Sequence, residues 1–252
     1  MGRNKIVYAG ETLIDLTADT VTAETLAEGV TAHGADGEKI VGTMKGGGSS
    51  DDVATAIVTR TITEYSNTEI ARIGNYALSY CSNLVRVNTP NVTAIASLAF
   101  AECTALEYFT KLTAVTGCSL GGYAFQNCTS LKRLDIIGKG TIGAGTFSGC
   151  SSLNAFILRN PYSNDVVALA NRNAFTGTPI ASGNGYIYVK FASVEAYRTK
   201  TNWVSYASQI MPTVSSVAKL ADVDGAVYAR AWVDDVYKPY AYNGAEWVEV
   251  NE

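Results

Sequence analysis

Cysteine is the residue type in this chain with the greatest capacity for chemistry, and four of its five copies recur regularly. Cys81, Cys103, Cys128 and Cys150 follow one another at intervals of 22, 25 and 22 residues. Zinc sites need thiolates at short spacings, such as two cysteines separated by two residues, and no such pair occurs. A one-sided row of cysteines in a chain with an ample core is not a disulfide framework either. The spacing therefore predicts four reduced, buried structural thiols and no metal site, with Cys118 outside the row and free.

The other reactive side chains show no catalytic arrangement. His33 is the single histidine, and it stands in a turn-like segment without a nearby nucleophile or carboxylate. Asp234 and Asp235 are adjacent, so strand alternation would point them to opposite faces, which is a poor geometry for a paired acid and base. The sequence therefore predicts a protein that is not an enzyme, with no catalytic residues and no cofactor.

Aromatic side chains crowd the C-terminal part of the chain. Rings can stack on the apolar faces of sugars while their polar tips form hydrogen bonds, so this group is a candidate glycan-binding site. The alternative is that a small three-stranded sheet needs these rings as its core, and this interpretation is favoured because aromatic residues are frequent in strands. The six residues are Tyr228, Trp232, Tyr237, Tyr240, Tyr242 and Trp247.

The regular cysteines belong to a repeat. Each copy has a small residue and an apolar residue before the cysteine, then Ser or Thr, a spacer and leucine, at 77–84, 99–106, 124–131 and 146–153. The spacing predicts one helical or 3₁₀ turn per copy with one buried face. A second apolar anchor stands before each turn, at Ile73, Ile95, Leu120 and Ile142. Because no single copy can bury its apolar face alone, the copies must stack as coils of a solenoid with capped ends.

These residues resemble a known repeat family. The pattern Ile-Gly-x-x-Ala-Phe-x-x-Cys-x-x-Leu, most complete between Ile73 and Leu84, is similar to the BspA-like class of leucine-rich repeat. A degenerate fifth copy at 173–178 places Thr178 where the cysteine stands in the others. The resemblance covers about residues 57–180. It implies a mainly β solenoid with short helices, and a contact surface that binds partners.

The chain divides into segments of different composition. Gly and Ser dominate a predicted linker, and Asn243-Gly244 is a two-residue hairpin signal in a C-terminal β module, where Asp234-Asp235 is predicted to form the other turn. The predicted segments are an N-terminal attachment module (1–45), the linker (46–52), the solenoid (53–184), its C-terminal cap (185–212) and a small three-stranded β module (213–252).

The N-terminal segment carries a second resemblance. Leu13–Thr22, followed by Gly29–His33 and Gly37–Met44, is similar to a module of tailed-bacteriophage structural proteins, including tail fibres. It implies a virion appendage protein that contacts other virion proteins through residues 1–45 and presents a host-recognition surface toward a host glycan or protein. The same resemblance implies a homo-oligomer, a trimer. Two alternatives stay open: a bacterial BspA-like surface adhesin, and a purely structural head or tail decoration.

Composition narrows the possible partners. The net charge is −4 and only 17% of residues are charged, so the concentrated basic face that binds nucleic acid is not expected. No run of about eighteen apolar residues is present, which predicts no membrane insertion. The first residues lack the apolar segment of a secretory signal, so the sequence predicts synthesis and folding in the cytoplasm of a bacterial host, with the mature protein on the virion.

Overall fold

The structure, a computed structural model, describes residues 5–8, 11–15, 31–33, 39–41, 60, 62–109, 118–159 and 166–250. The described residues before residue 42 form two antiparallel strand pairs. Strand β1 (Lys5–Tyr8) pairs with β2 (Glu11–Asp15), and β3 (Thr31–His33) pairs with β4 (Lys39–Val41). The predicted linker at 46–52 and the side chain of His33 lie outside the described residues.

The repeats coil into a solenoid, and its first ladder of parallel strands carries one strand per coil. Three strands form a sheet of their own, and the first half of β11 begins a longer parallel sheet that continues toward the C terminus. The strands are β5 (Glu64–Ser66), β7 (Arg86–Asn88), β9 (Tyr108–Phe109), β11 (Arg133–Ile142), β12 (Ala155–Arg159), β14 (Tyr186–Lys190), β15 (Ile210–Val214) and β16 (Arg230–Val233).

A second parallel ladder runs beside the first and is joined to it by the ten residues of β11. Its strands are β6 (Arg72–Ile73), β8 (Ala94–Ile95), β10 (Cys118–Leu120), the end of β11, and β13 (Ala168–Leu169). The predicted second anchors lie in register here, with Ile73 opposite Ile95 and Leu120 opposite Ile142. The predicted fold class, a mainly β leucine-rich-repeat solenoid with short helices, is confirmed.

The segment before each cysteine is a series of tight turns and not the predicted helical turn. In the first coil Tyr76 and Tyr80, four residues apart, have left-handed backbones with φ of 59° and 63°. A left-handed residue cannot continue a right-handed helix, so each hydrogen bond here closes a separate turn. The other pairs are Leu98 and Glu102, Tyr123 and Asn127, and Gly145 and Gly149. Backbone N–H groups donate to the next coil instead, as from Leu78 to the carbonyl of Ala99 at 2.8 Å.

A column of phenylalanine rings fills the core between the two ladders. Phe100 stacks on Phe125 with ring centroids 5.2 Å apart, Phe125 on Phe147 at 5.7 Å, and Phe147 on Phe175 at 5.1 Å. All four rings are fully buried. Tyr206 meets Phe175 edge-on at 5.2 Å, so the predicted cap segment covers the last ring of the column.

The ladder cysteines are buried and free, and three of their thiols join one coil to the coil before it. In each case Sγ donates to a backbone carbonyl of the preceding coil. That carbonyl belongs to the apolar residue three positions before the preceding coil's own cysteine. That carbonyl also accepts the N–H of its own coil's cysteine, so its two lone pairs serve two coils. The Sγ contacts are Cys103 to Leu78 at 3.0 Å, Cys128 to Phe100 at 3.1 Å and Cys150 to Phe125 at 2.9 Å.

The degenerate fifth copy ends this thiol ladder. The Thr178 hydroxyl donates to the carbonyl of Phe175 in its own coil at 2.7 Å instead of to the coil before it. After it come helix α1 (Val194–Thr199) and a 3₁₀ segment, Trp203–Gln209, which together form the cap. The backbone of Cys118 lies in β10, and its side chain is outside what the structure describes.

The sheet of the first ladder continues into the predicted β module. Strand β16 pairs in parallel with β15, with Thr213 opposite Trp232, and antiparallel strands β17 (Lys238–Tyr242) and β18 (Trp247–Glu249) follow. The edge of β15 is thus covered by β16, and no break in the sheet occurs at residue 213. None of the helices in the described ranges is long and apolar enough to cross a membrane.

The last hairpin has a wider loop than the predicted two residues. Tyr242 pairs with Trp247, which leaves residues 243–246 in the loop. The side-chain carbonyl of Asn243 accepts the N–H groups of Ala245 and Glu246, both at 2.9 Å, and Gly244 has a φ of 99°. These side-chain hydrogen bonds stabilise a four-residue loop, because they satisfy backbone groups that a tighter turn would pair with each other.

Replacing Gly143 by alanine is expected to lower the free energy of unfolding by about 1–3 kcal/mol through overpacking. Successive coils approach so closely that a Cβ on Gly143 would lie 2.4 Å from the backbone nitrogen of Gly122. Gly74 is the equivalent residue of an earlier coil, and a Cβ there meets nothing within 4 Å. Urea unfolding should give a lower midpoint for Gly143→Ala and an almost unchanged one for Gly74→Ala. Equal midpoints would contradict the close approach.

Candidate binding site

The outer face of the first ladder is polar where no other element covers it. Strands β5, β7 and β9 alternate, with their central or last residue buried in the core and the preceding residue exposed. Glu64, Arg86 and Tyr108 are the exposed residues, and they lie opposite one another in the strand register, one per coil. The stacking of coils therefore builds a row of three exposed side chains from three distant points in the sequence.

The Tyr108 ring contacts its neighbour in this row and stays exposed to solvent. The guanidinium carbon of Arg86 lies 4.3 Å from the centroid of the Tyr108 ring, and Arg86 Nε lies 3.5 Å from Glu64 Oε1. The ion pair is exposed and contributes little stability, and the cation–π contact contributes about 0.5–1 kcal/mol. The ring nevertheless remains 52% exposed. Its neighbours thus orient an aromatic surface toward solvent without burying it.

Beyond β9 the outer face is covered by the turn between β16 and β17. Asp135 of β11 is only 2% exposed, and its carboxylate accepts hydrogen bonds from Arg159 at 2.9 and 3.1 Å and from the Tyr237 hydroxyl at 2.9 Å. Arg159 also forms an ion pair with Asp234 in the turn, with Nη1 and Oδ1 2.6 Å apart. Burial and the Asp135 carboxylate raise the pKa of the Tyr237 hydroxyl, so it stays protonated and donates. One buried carboxylate therefore ties the C-terminal turn to the solenoid sheet.

Two aromatic rings and an arginine complete this covered region. Trp232 and Tyr237 meet edge to face with centroids 5.0 Å apart. The guanidinium carbon of Arg133 lies 4.8 Å from the Tyr237 ring centroid and 5.4 Å from that of Trp232. The Arg133 guanidinium thus lies at the boundary between the covered and uncovered halves of the face.

An open cleft of about 570 Å³ lies at this boundary, between Tyr108 and Tyr237. Its volume is in the range of small-ligand sites. Its eight described lining residues include no cysteine, histidine or serine that could act as a nucleophile, and in the described ranges no group of His, Cys, Asp and Glu could hold a metal ion. The lining residues are Glu107, Tyr108, Phe109, Lys132, Arg133, Asp135, Asn154 and Tyr237.

The six C-terminal rings, the candidate glycan site of the sequence, do not come together in one surface cluster. Trp232 is fully buried, packed against Tyr237 and Tyr188, which agrees with the favoured core interpretation and removes it from the candidate glycan contacts. Tyr228 is also buried, and its hydroxyl donates to Glu195 of α1 at 3.2 Å. Tyr240 is half-buried on β17.

The remaining rings divide between two places. Tyr242 and Trp247 form a half-buried pair across the last hairpin, with centroids 5.6 Å apart. Of the six predicted residues, Tyr237 is the one that lines the cleft. Strand alternation and the turn at 234–237 separate rings that are close in sequence, because neighbouring strand positions point to opposite faces.

Sequence reasoning missed the outward-facing residues at and beside the cleft. Arg86, Tyr108 and Arg133 each stand directly before a buried strand residue of their coil, a position that the repeat would have identified. Aligning the coils on their inward residues gives this outward column without a structure. No comparable signal shows that the turn at 234–237 covers β11.

Two ladders of parallel strands around a column of phenylalanine rings define a leucine-rich-repeat solenoid. The BspA type leucine rich repeat region matches residues 71–198 in six copies, just over half of the chain. The chain belongs to this family of BspA-type leucine-rich repeats, whose members are typically non-enzymatic binding proteins. The match adds to the four cysteine-bearing copies and the degenerate copy seen in the sequence.

One solved structure is similar in part. It is the crystal structure of a leucine-rich repeat protein from Bacteroides ovatus ATCC 8483, at 17% sequence identity and a TM-score of 0.33. The alignment covers 76% of this chain and 58% of that protein, so this chain spans less than two thirds of its length. No curated protein matches.

Proposed function

We propose that this chain is a non-enzymatic binding protein of a bacterial cell surface, and that it binds an extracellular glycan at the cleft between Tyr108 and Tyr237. The observation that carries this proposal is the exposed Tyr108 ring, which Arg86 holds at the mouth of a polar cleft. Aromatic rings bind the apolar faces of sugars, and nearby charged and amide groups bind the hydroxyls.

The uncovered strands beside the cleft extend this surface. On β5 and β7 the exposed residues after the buried ones are Ser66 and Asn88, and the Asn88 amide donates to the Ser66 hydroxyl at 3.1 Å. Together with Glu64 and Arg86 they form a second polar row that leads away from Tyr108. A glycan longer than one sugar unit can therefore continue from the cleft along the outer face.

The BspA repeat type favours a bacterial surface over the virion predicted from the N-terminal segment. The family match lies within 71–198 and does not reach residues 1–45, and the comparisons give no support to the bacteriophage resemblance there. The virion, with its contacts through residues 1–45 and its trimer, becomes the second candidate. Gold-labelled antibodies on intact cells and on purified phage particles of the same strain distinguish the two locations.

Replacing Tyr108 by alanine is expected to lower glycan binding at least tenfold, because it removes the exposed ring of the cleft. The purified protein is applied to an array that carries bacterial and animal glycans beside extracellular proteins. Tyr76→Ala is the matched control, since Tyr76 is 56% exposed but lies in a turn before the first cysteine. An equal loss from both variants, or binding to proteins alone, would contradict the proposal.

A further inference from the structure

The turns before the cysteines carry exposed tyrosines that are not part of the cleft lining. Their left-handed residues stack from coil to coil, because backbone hydrogen bonds join equivalent turns. The N–H of Tyr76 donates to the carbonyl of Ser97, next to Leu98, at 3.2 Å. The N–H of Leu98 in turn donates to the carbonyl of Gly122, next to Tyr123, at 3.1 Å. The result is two turn rows, the first of Tyr76, Leu98 and Tyr123 and the second of Tyr80, Glu102 and Asn127.

Tyrosine rings are the exposed aromatic groups of these rows. Tyr76 and Tyr80 of the first coil are both more than half exposed. The ring of Tyr123 lies on the backbone of the next coil, since a Cβ built on Gly145 would come within 2.3 Å of it. The glycine leaves space for this ring, which is still exposed to solvent. The turn rows therefore present aromatic surfaces at the first and the third coil.

We propose that the turn rows bind a proline-rich segment in the polyproline II conformation, which lies along them across three coils. This site is separate from the glycan cleft and does not depend on it. Hydrogen-bonded backbones of successive coils are about 4.8 Å apart, so Tyr76 and Tyr123, two coils apart, are separated by about 9.6 Å. A polyproline II helix repeats every three residues, about 9.3 Å. Prolines at positions i and i+3 therefore match the spacing of the two tyrosines.

The backbone of this face is already paired, which disfavours an added β-strand. The N–H of Tyr80 donates to the carbonyl of Ala101 at 2.7 Å, and that of Glu102 donates to the carbonyl of Gln126 at 2.8 Å. An added strand needs free backbone donors and acceptors along an edge. Proline has no N–H, and a polyproline II segment has no internal hydrogen bonds, so its carbonyls accept from side-chain donors. Exposed tyrosine hydroxyls are donors of this kind.

The charges on the turn rows are balanced, which favours a neutral ligand. Glu102 supplies one carboxylate, and it accepts a hydrogen bond from the Asn127 amide at 2.6 Å. Arg60 supplies one guanidinium, whose carbon lies 5.4 Å from the centroid of the Tyr80 ring. Aromatic grooves that bind proline-rich segments use ring contacts as their main source of affinity, and proline side chains carry no charge.

The test uses fluorescein-labelled decaproline and a flexible Gly-Ser peptide of equal length, with binding followed by fluorescence anisotropy. We expect decaproline to bind and the flexible peptide not to bind, because the polyproline II helix is formed before association. Tyr76→Ala and Tyr123→Ala should each weaken binding at least fivefold. Tyr76→Phe keeps the ring and removes the hydroxyl, so it should weaken binding less than Tyr76→Ala. Tyr108→Ala, in the cleft, is the matched control and should leave decaproline binding unchanged.

Four results would overturn this inference. The first is no binding of decaproline up to about 1 mM. The second is binding that survives both Tyr76→Ala and Tyr123→Ala, and the third is an equal loss in Tyr108→Ala, which would place the peptide elsewhere. The fourth is displacement of decaproline by cellohexaose, which would show that the turn rows bind glycans. Far-ultraviolet circular dichroism and urea midpoints equal to those of the wild type show that each variant is folded. Glycan binding lost in Tyr108→Ala alone is a separate result, so either proposal can fail while the other stands.

Discussion

Phe125→Ala is expected to lower the free energy of unfolding by about 3–5 kcal/mol, the cost of truncating a fully buried phenylalanine. Phe125 lies in the middle of the ring column, stacked on Phe100 and Phe147, and Phe109 meets it edge-on with centroids 5.4 Å apart. Its removal leaves a cavity between two coils that cannot collapse, because the backbone hydrogen bonds on both sides fix the coil spacing. Urea unfolding followed by far-ultraviolet circular dichroism measures the loss.

The repeat itself supplies the matched control. Leu78 occupies the equivalent position of the first coil and is fully buried there. Phe125→Leu should therefore cost much less than Phe125→Ala, about 1.5 kcal/mol or less, because most of the volume is kept. Phe191→Ala, at a ring that is 38% exposed and meets Tyr228 edge-on with centroids 5.8 Å apart, should cost much less than Phe125→Ala. If Phe125→Ala costs no more than Phe191→Ala, the ring column does not stabilise the solenoid.

The repeat made most of the fold predictable. The interval of about one coil, the inward leucines and the second anchors identify both parallel ladders, since each coil must bury the same positions against its neighbours. The conformation of the turns was predicted wrongly. Tyr76, Leu98 and Tyr123 are not residues that favour a left-handed backbone, and their N–H groups all donate to the next coil, so contacts between coils help to hold this conformation.

The thiol ladder and the candidate site show where sequence reasoning ends. The row of Cys81, Cys103, Cys128 and Cys150 is visible as a pattern, but the hydrogen bonds from three of these thiols to the preceding coil depend on the distance between coils. The contact from Tyr237 to Asp135 joins residues 102 positions apart in the sequence. No periodic pattern links them, because the C-terminal turn folds over the sheet instead of adding another coil.

Raising the pH above 9 is expected to lower the free energy of unfolding of this protein steeply, and the buried thiols are the main reason. Burial raises the pKa of Cys81, Cys103 and Cys128 above the usual value near 9.0. In the unfolded chain the same thiols ionise as the pH passes that value. Between the unfolded and the folded pKa the unfolded state therefore binds fewer protons, and its free energy falls relative to that of the native state. The stabilisation is complete below pH 9 and is lost above it.

The expected slope follows from the number of groups. Each thiol that is neutral in the folded state and ionised in the unfolded state contributes about 1.4 kcal/mol per pH unit, so Cys103 and Cys128, whose pKa values rise furthest, contribute about 3 kcal/mol per unit. Burial also raises the pKa of Tyr197, to about 12, and that of Tyr206, so the loss continues above pH 10. With a typical stability of about 5–15 kcal/mol, unfolding should be complete between about pH 10 and 12.

Urea midpoints measured from pH 7 to 10.5 under a non-thiol reductant test the role of the thiols. Cys128→Ala removes one buried ionisable group together with its hydrogen bond to Phe100. The variant should be less stable than the wild type at pH 7, because it has a small cavity and an unpaired carbonyl lone pair. Its stability should then decline with pH by about 1.4 kcal/mol per unit less than that of the wild type. Parallel curves would show that the thiol is not kept neutral by burial, since a packing defect alone shifts the midpoint equally at every pH.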